Sequence, residues 1–129
     1  MPLIKHEGLS PFIKFLGVEI VQQSDNRVET RLPSQGVLEN RKGDIHGGVL
    51  ATLLDTTLGL AARGDVDVQA AISTLSLTVN YLRPARGDLL CKASCLQKGR
   101  SIRFVEGQVT DKQGEVVATA VATFKVFTA

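Results

Sequence analysis

The stretch DIHGGVLATLLDTTLGLAARG, residues 44–64, decides how this chain folds. Its apolar residues recur at helical spacing, which predicts one strong helix over His46–Ala62, closed by Gly64 just past its end. Turning about 100° per residue from Asp55 brings Gly48, Ala51, Thr52, Gly59 and Ala62 to the carboxylate's side. Leu50, Leu53, Leu60 and Ala61 fall opposite, where they can plug the concave face of a sheet. A solvated helix face normally carries Lys, Glu or Gln. This one carries small residues around a single acid. Such a surface admits close approach by a backbone or a ligand, and a partly buried carboxylate costs free energy unless it has partners or a task. On the wheel alone, an exposed polar residue of a half-packed helix explains Asp55 equally well.

The flanking sequence supplies the sheet. Ser10 followed by Pro11 is a cap and a first helical residue, predicting a short helix to about Leu16. Val18 and Ile20, then Val28, Thr30 and Leu32, alternate with polar residues around the turn Ser24-Asp25-Asn26, which predicts a hairpin. Pro33 to Ile45 reads as a long polar connection. Beyond the helix, β-rich runs are expected over about 68–82, 88–97, 102–110 and 116–127, separated by turns at Arg83–Gly87, Lys98–Arg100 and Asp111–Gly114. The expected order is a strand pair, the long helix, then a four-stranded meander. That is an α+β domain, one unit over residues 1–129, with an antiparallel sheet wrapped around a long central helix.

Composition narrows the function. With 43% hydrophobic and 22% charged residues in 129, the chain is expected to be an ordinary soluble domain. Fifteen Lys and Arg against thirteen Asp and Glu leave a net charge of +2, too little to argue for nucleic acid. The cations cluster, however: Arg83, Arg86, Lys92, Lys98, Arg100 and Arg103 are interrupted by one acid, Asp88. Such a segment attracts anions or simply protects strand edges. Cys91 and Cys95, four residues apart on one strand, would stand roughly 13 Å apart, too far for a disulfide, and no further Cys or His completes a metal site. The N-terminus lacks the apolar core of a signal peptide, and the apolar run at 49–62 is interrupted and too short to span a bilayer. A cytoplasmic protein without metal, membrane or nucleic-acid binding is the expectation.

The start of the helix suggests chemistry. His46-Gly47-Gly48 lies where the first backbone N–H groups lack intrahelical acceptors, and those groups favour negative charge. Glycine there lets a carbonyl approach without meeting a Cβ. The Gly47 N–H can then stabilise an oxyanion, a contribution of about 3 kcal/mol per donor. Asp55 lies nine residues past His46, roughly 13 Å along the axis, so both cannot serve one carbonyl within a subunit. A two-fold dimer with antiparallel helices would unite them, and the small-residue face permits that packing.

These residues carry a resemblance. Asn40, then His46-Gly47-Gly48, then Leu54-Asp55-Thr56, with Asn80-Tyr81-Leu82-Arg83-Pro84-Ala85 further on, resembles the signature of hotdog-fold acyl-CoA thioesterases of the phenylacetate-degradation type. The likeness runs from about Gly17 to Phe127. It implies a hotdog fold and hydrolysis of an aryl- or medium-chain acyl-CoA to the free acid and coenzyme A, without any cofactor beyond the coenzyme A of the substrate. It implies that Asp55 is the catalytic carboxylate, as nucleophile or general base, and that the Gly47 N–H polarises the carbonyl. Asn40 and His46 match positions that orient water or thioester, and Thr74 matches a Ser or Thr beside the acid. Arg83, Arg100 and Ser101 become candidates for coenzyme A contacts. The implied assembly is a homodimer, with a tetramer of two dimers left open.

Read singly, these positions keep plainer explanations. Asn40 suits a turn, His46 a helix start, Gly47 a conformational need and Thr74 strand packing. Two other functions share the fold: an enoyl-thioester hydratase or dehydratase, and a non-catalytic acyl-CoA-binding protein. A hydratase would pair a catalytic His with an acid, whereas His46 precedes the glycines. A DNA-reading sensor would need a recognition element for which the chain has no spare length.

Overall fold

The computed structural model describes residues 8–64, 66 and 70–127. Ser10 opens the first element: its Oγ accepts the Ile13 N–H at 3.4 Å, and Pro11 takes the first helical position, where no N–H is needed. Helix α1 (Pro11–Leu16) buries Ile13 and Leu16 and ends at Gly17, whose φ of 89° favours glycine. Strands β1 (Glu19–Gln23) and β2 (Arg27–Leu32) form the expected antiparallel hairpin, with Val28, Thr30 and Leu32 turned inward. The following connection is less open than its polarity implies. It contains a 3-10 turn, Gly36–Leu38, and buries Leu38 and Ile45.

Helix α2 (Gly47–Arg63) runs through the middle of the fold. Strands β3 (Ala71–Tyr81), β4 (Leu89–Lys98), β5 (Ile102–Thr110) and β6 (Val116–Phe127) follow, and β2 to β6 all contact α2. The strand expected from Val68 is described from its Ala71 start; residues 67–69, like residues 1–7 of the N-terminus, lie outside the described residues. Leu50, Leu53, Leu54, Leu58 and Leu60 are buried against the sheet, each stabilising the fold by about 2 kcal/mol. Gly107 in the middle of β5 allows this contact. A Cβ there would stand 2.5 Å from Leu58 Cδ1 and 2.8 Å from the Lys92 carbonyl. One expectation for the helix fails: Ala62, placed on the open side with Asp55, is fully buried. The last turn is enclosed because Arg103, itself buried, reaches over it and donates from Nη1 to the Ala62 carbonyl at 2.9 Å. Among the described residues no helix is long and apolar enough to cross a membrane.

The four later strands do not form the expected meander. The sheet order is β1-β2-β4-β5-β6-β3, with all five pairings antiparallel. Of these four, β4, β5 and β6 lie side by side in chain order and β3 does not. The hairpin β1–β2 takes the place beside β4, and β3 pairs on the far side of β6. Residues 82–88 explain the crossing. Leu82 donates its N–H to the Val117 carbonyl, and the Ala85 carbonyl accepts from the Ile45 N–H, each at 2.8 Å. Asp88 then accepts from the Ser34 N–H at 2.8 Å and from Arg31 at 2.9 Å. The segment passes the N-terminal end of α2 and delivers the chain to the opposite side of the sheet. Strand β3 is left as an edge eleven residues long, with Leu75 54% exposed at its bulge.

A polar cluster lies between α2 and the sheet. The Thr57 hydroxyl donates to the Leu53 carbonyl at 2.8 Å, so it accepts from Thr30 across 2.6 Å. Beside them the free thiol of Cys91 is fully buried, and burial pushes its pKa from 9.0 up to about 12. The folded state therefore holds a proton that the unfolded chain releases above pH 9. The stability this contributes is complete below pH 9 and is lost as pH rises toward 12, roughly 1 kcal/mol of it by pH 10. Urea unfolding at pH 8 and pH 10 should show this loss in the wild-type protein beyond that in Cys91→Ala. Equal losses in both would show that Cys91 does not titrate this way.

Candidate active site

The midpoint of α2 and the start of β3 meet at Asp55. Asp55 is half-buried, and the Thr74 hydroxyl donates to its Oδ1 at 2.8 Å. Thr74 reaches it because it pairs with buried Phe124 of β6 and so faces the helix side of the sheet; the bulge between Thr74 and Ser76 follows at once. One carboxylate oxygen is thereby oriented, leaving the other for water or substrate. The pair borders an open cleft of about 350 Å³. Leu9, Ile13, Ile72 and Phe124 line it together with Gly59, Leu60 and Arg63 of α2.

The other end of α2 holds the donors. His46 is the N-cap, its Nδ1 accepting the Gly48 N–H at 2.9 Å, which puts the proton of the neutral ring on Nε2. Gly47 is the first helical residue, and among the described residues its N–H has no acceptor within the chain. Tyr81 packs its ring on Gly47 and donates its hydroxyl to the Gly47 carbonyl at 2.9 Å. That contact was missing from the sequence reading, although Tyr81 is the single tyrosine of the chain. Asn40 shapes the preceding turn: its Oδ1 accepts the N–H groups of Lys42 and Asp44 at 2.9 and 3.2 Å. Its amide NH2 is what remains for a ligand.

Structure thus brings Asp55 and Thr74 together and sets His46, Gly47 and Asn40 apart from them. Eight residues of α2 separate Asp55 from Gly47, about 12 Å. The coenzyme A candidates are also divided. Arg83 stands near Gly47 and Tyr81, paired with Glu115 at 3.3 Å. Arg100 and Ser101 sit in the β4–β5 turn, at the other end of α2, roughly 25 Å away along the helix. Exposed Arg41 and Lys42, next to His46, are cations at the donor end that the sequence reading passed over. Among the described residues, no three His, Cys, Asp or Glu side chains converge as a metal site would require.

An antiparallel sheet wrapped on one long helix, with a lone oriented carboxylate on that helix, defines a hotdog-fold domain of the thioesterase kind. The chain belongs to the thioesterase superfamily, whose profile matches residues 42–118. It is 39% identical over 126 residues to a Halobacterium salinarum protein that bears an esterase name, covering 89% of this chain and 83% of that one. It is 25% identical over 132 residues to the medium/long-chain acyl-CoA thioesterase YigI of Escherichia coli, covering 90% and 85%. The solved structure of a thioesterase family protein from Silicibacter pomeroyi superposes with a TM-score of 0.88 at 28% identity, covering 93% of this chain and 91% of that one. Hydrolysis of thioesters is accordingly the reaction class of this chain.

Proposed function

We propose that this protein is a homodimeric acyl-CoA thioesterase in which Asp55 of one protomer and the Gly47 N–H of the other act on the same thioester. The observation that carries the reading is the separation of an oriented acid from a donor-rich helix tip on one rigid helix. A two-fold axis with antiparallel α2 helices closes that gap. The long unpaired edge of β3, which bears Thr74, supports such an assembly, since an exposed edge of this length invites pairing.

The acyl group enters the cleft beside Asp55 and its carbonyl oxygen accepts the Gly47 N–H. Asp55 takes a proton from water as the water oxygen bonds to the carbonyl carbon, or attacks that carbon itself to give an anhydride that water then opens. The carbon–sulfur bond breaks, and coenzyme A leaves as thiolate and is protonated. Thioester and water become acid and thiol, with no redox change and no further cofactor. An aryl- or medium-chain acyl group suits the cleft, and the likeness to YigI supports a coenzyme A ester. Arg83 of one protomer and Arg100 and Ser101 of the other flank the shared site in this assembly and are the proposed phosphate contacts.

A panel of aryl-, short-, medium- and long-chain acyl-CoA esters, read by free thiol release, tests the reading. Turnover of aryl or medium-chain esters by a dimer is expected. Hydration of enoyl-CoA in place of thiol release, binding without turnover, or an active monomer would each overturn it. Within the site, Thr74→Val should lower kcat by about 10- to 100-fold with KM little changed, since a hydrogen bond to a charged group is lost. Thr74→Ser should restore most of it. Steady-state kinetics of the two variants decide whether the hydroxyl orients Asp55.

A further inference from the structure

Gly59 lies on the same face of α2 as Asp55, four residues on and roughly 6 Å further along the axis. Neither its backbone nor its packing requires glycine. It is absent from the glycines with positive φ, and a mid-helix glycine costs about 1 kcal/mol relative to alanine. A Cβ built there would meet only the Phe124 ring, with Cε1 at 3.4 Å and Cζ at 3.8 Å. Phe124 is 2% exposed, so its ring is fixed by the core. The missing side chain leaves the α2 wall of the Asp55 cleft bare beside the Phe124 ring edge, with room there for a methyl group and little more. Leu9, Ile13 and Ile72 give that cleft apolar lining, with Ser10 and Arg63 among its polar members.

We propose that Gly59 determines acyl-group specificity: by presenting no side chain it keeps the Asp55 cleft open to the part of the acyl group lying beyond the carbonyl, admitting aryl and medium-chain groups. The inference rests on Asp55 as the reaction centre. A side chain larger than methyl at position 59 cannot fit against Phe124, projects into the cleft about one helical turn from the reacting carbon and obstructs long or aromatic groups, while an acetyl group stops short of it.

Gly59→Ala and Gly59→Leu are compared with wild type on acetyl-, hexanoyl-, decanoyl- and benzoyl-CoA. The ratio of kcat/KM for the three larger esters to that for acetyl-CoA should fall by roughly 10- to 100-fold in Gly59→Leu, and by less in Gly59→Ala. The urea midpoint of Gly59→Ala should hold or rise, as helix propensity requires, separating selectivity from folding. An unaltered ratio, or equal loss on all four esters, overturns the proposal. Should wild type bind the esters without hydrolysing them, the thioesterase reading fails by itself. The same ratio taken from calorimetric dissociation constants then still decides the role of Gly59.

Discussion

Asp55→Asn should lower thiol release by about 10³-fold or more at saturating substrate, while the protein folds and binds its ester as before. The substitution keeps the shape of the side chain. An asparagine Oδ1 still accepts from Thr74 at the position Asp55 uses, so the α2–β3 contact survives. What disappears is the negative charge, and with it the capacity to take a proton from water or to attack carbon. Asp55→Glu keeps the charge but moves it by one methylene away from Thr74, so an intermediate loss is expected; productive geometry tolerates little displacement. Stopped assays with free-thiol detection, alongside ester binding by calorimetry, separate loss of chemistry from loss of binding. Near-normal turnover by Asp55→Asn would remove Asp55 from the reaction and leave the cleft as a binding site only.

Part of this arrangement is written in the sequence and part is not, and the division has physical causes. The helix is legible because Leu50, Leu53, Leu54, Leu58 and Leu60 must reach one core while His46 and Gly64 mark its ends. Strand positions are legible from alternation, and β5 and β6 fall on their expected bounds. Neighbours in the sheet are not. Alternation fixes which side chains share a face, whereas the crossing of residues 82–88 depends on backbone bonds to Val117 and Ile45 that no local pattern encodes. Burial of Ala62 likewise depends on Arg103, forty-one residues away. The bond between Thr74 and Asp55 was accessible only through family resemblance, since a threonine in a strand ordinarily packs. Leu9 and Ile13 gave no sign of bordering the cleft; alone they read as the core contacts of a short helix.

Two inactive variants should restore each other when mixed, and this is the sharpest consequence of a site divided between protomers. Gly47 is the first helical residue, where proline is favoured, and His46 before it already has φ −59° and ψ 136°, the conformation a following proline imposes. A Cβ at position 47 has ordinary contact with Tyr81 at 3.5 Å. Gly47→Pro therefore deletes the N–H donor with little disturbance of α2, and kcat should fall by about 10²- to 10³-fold. Pair this chain with Asp55→Asn in one dimer. One site then joins the proline to the asparagine and is dead twice over, while the other joins an intact Gly47 to an intact Asp55. Random re-association of equal amounts should recover about a quarter of wild-type activity, since half the dimers are mixed and each has one working site. Co-expression with two affinity tags, followed by assay of the doubly tagged dimer, should find about half of wild-type activity per dimer. A doubly tagged dimer no more active than its parents would mean that Asp55 and Gly47 never meet at one carbonyl.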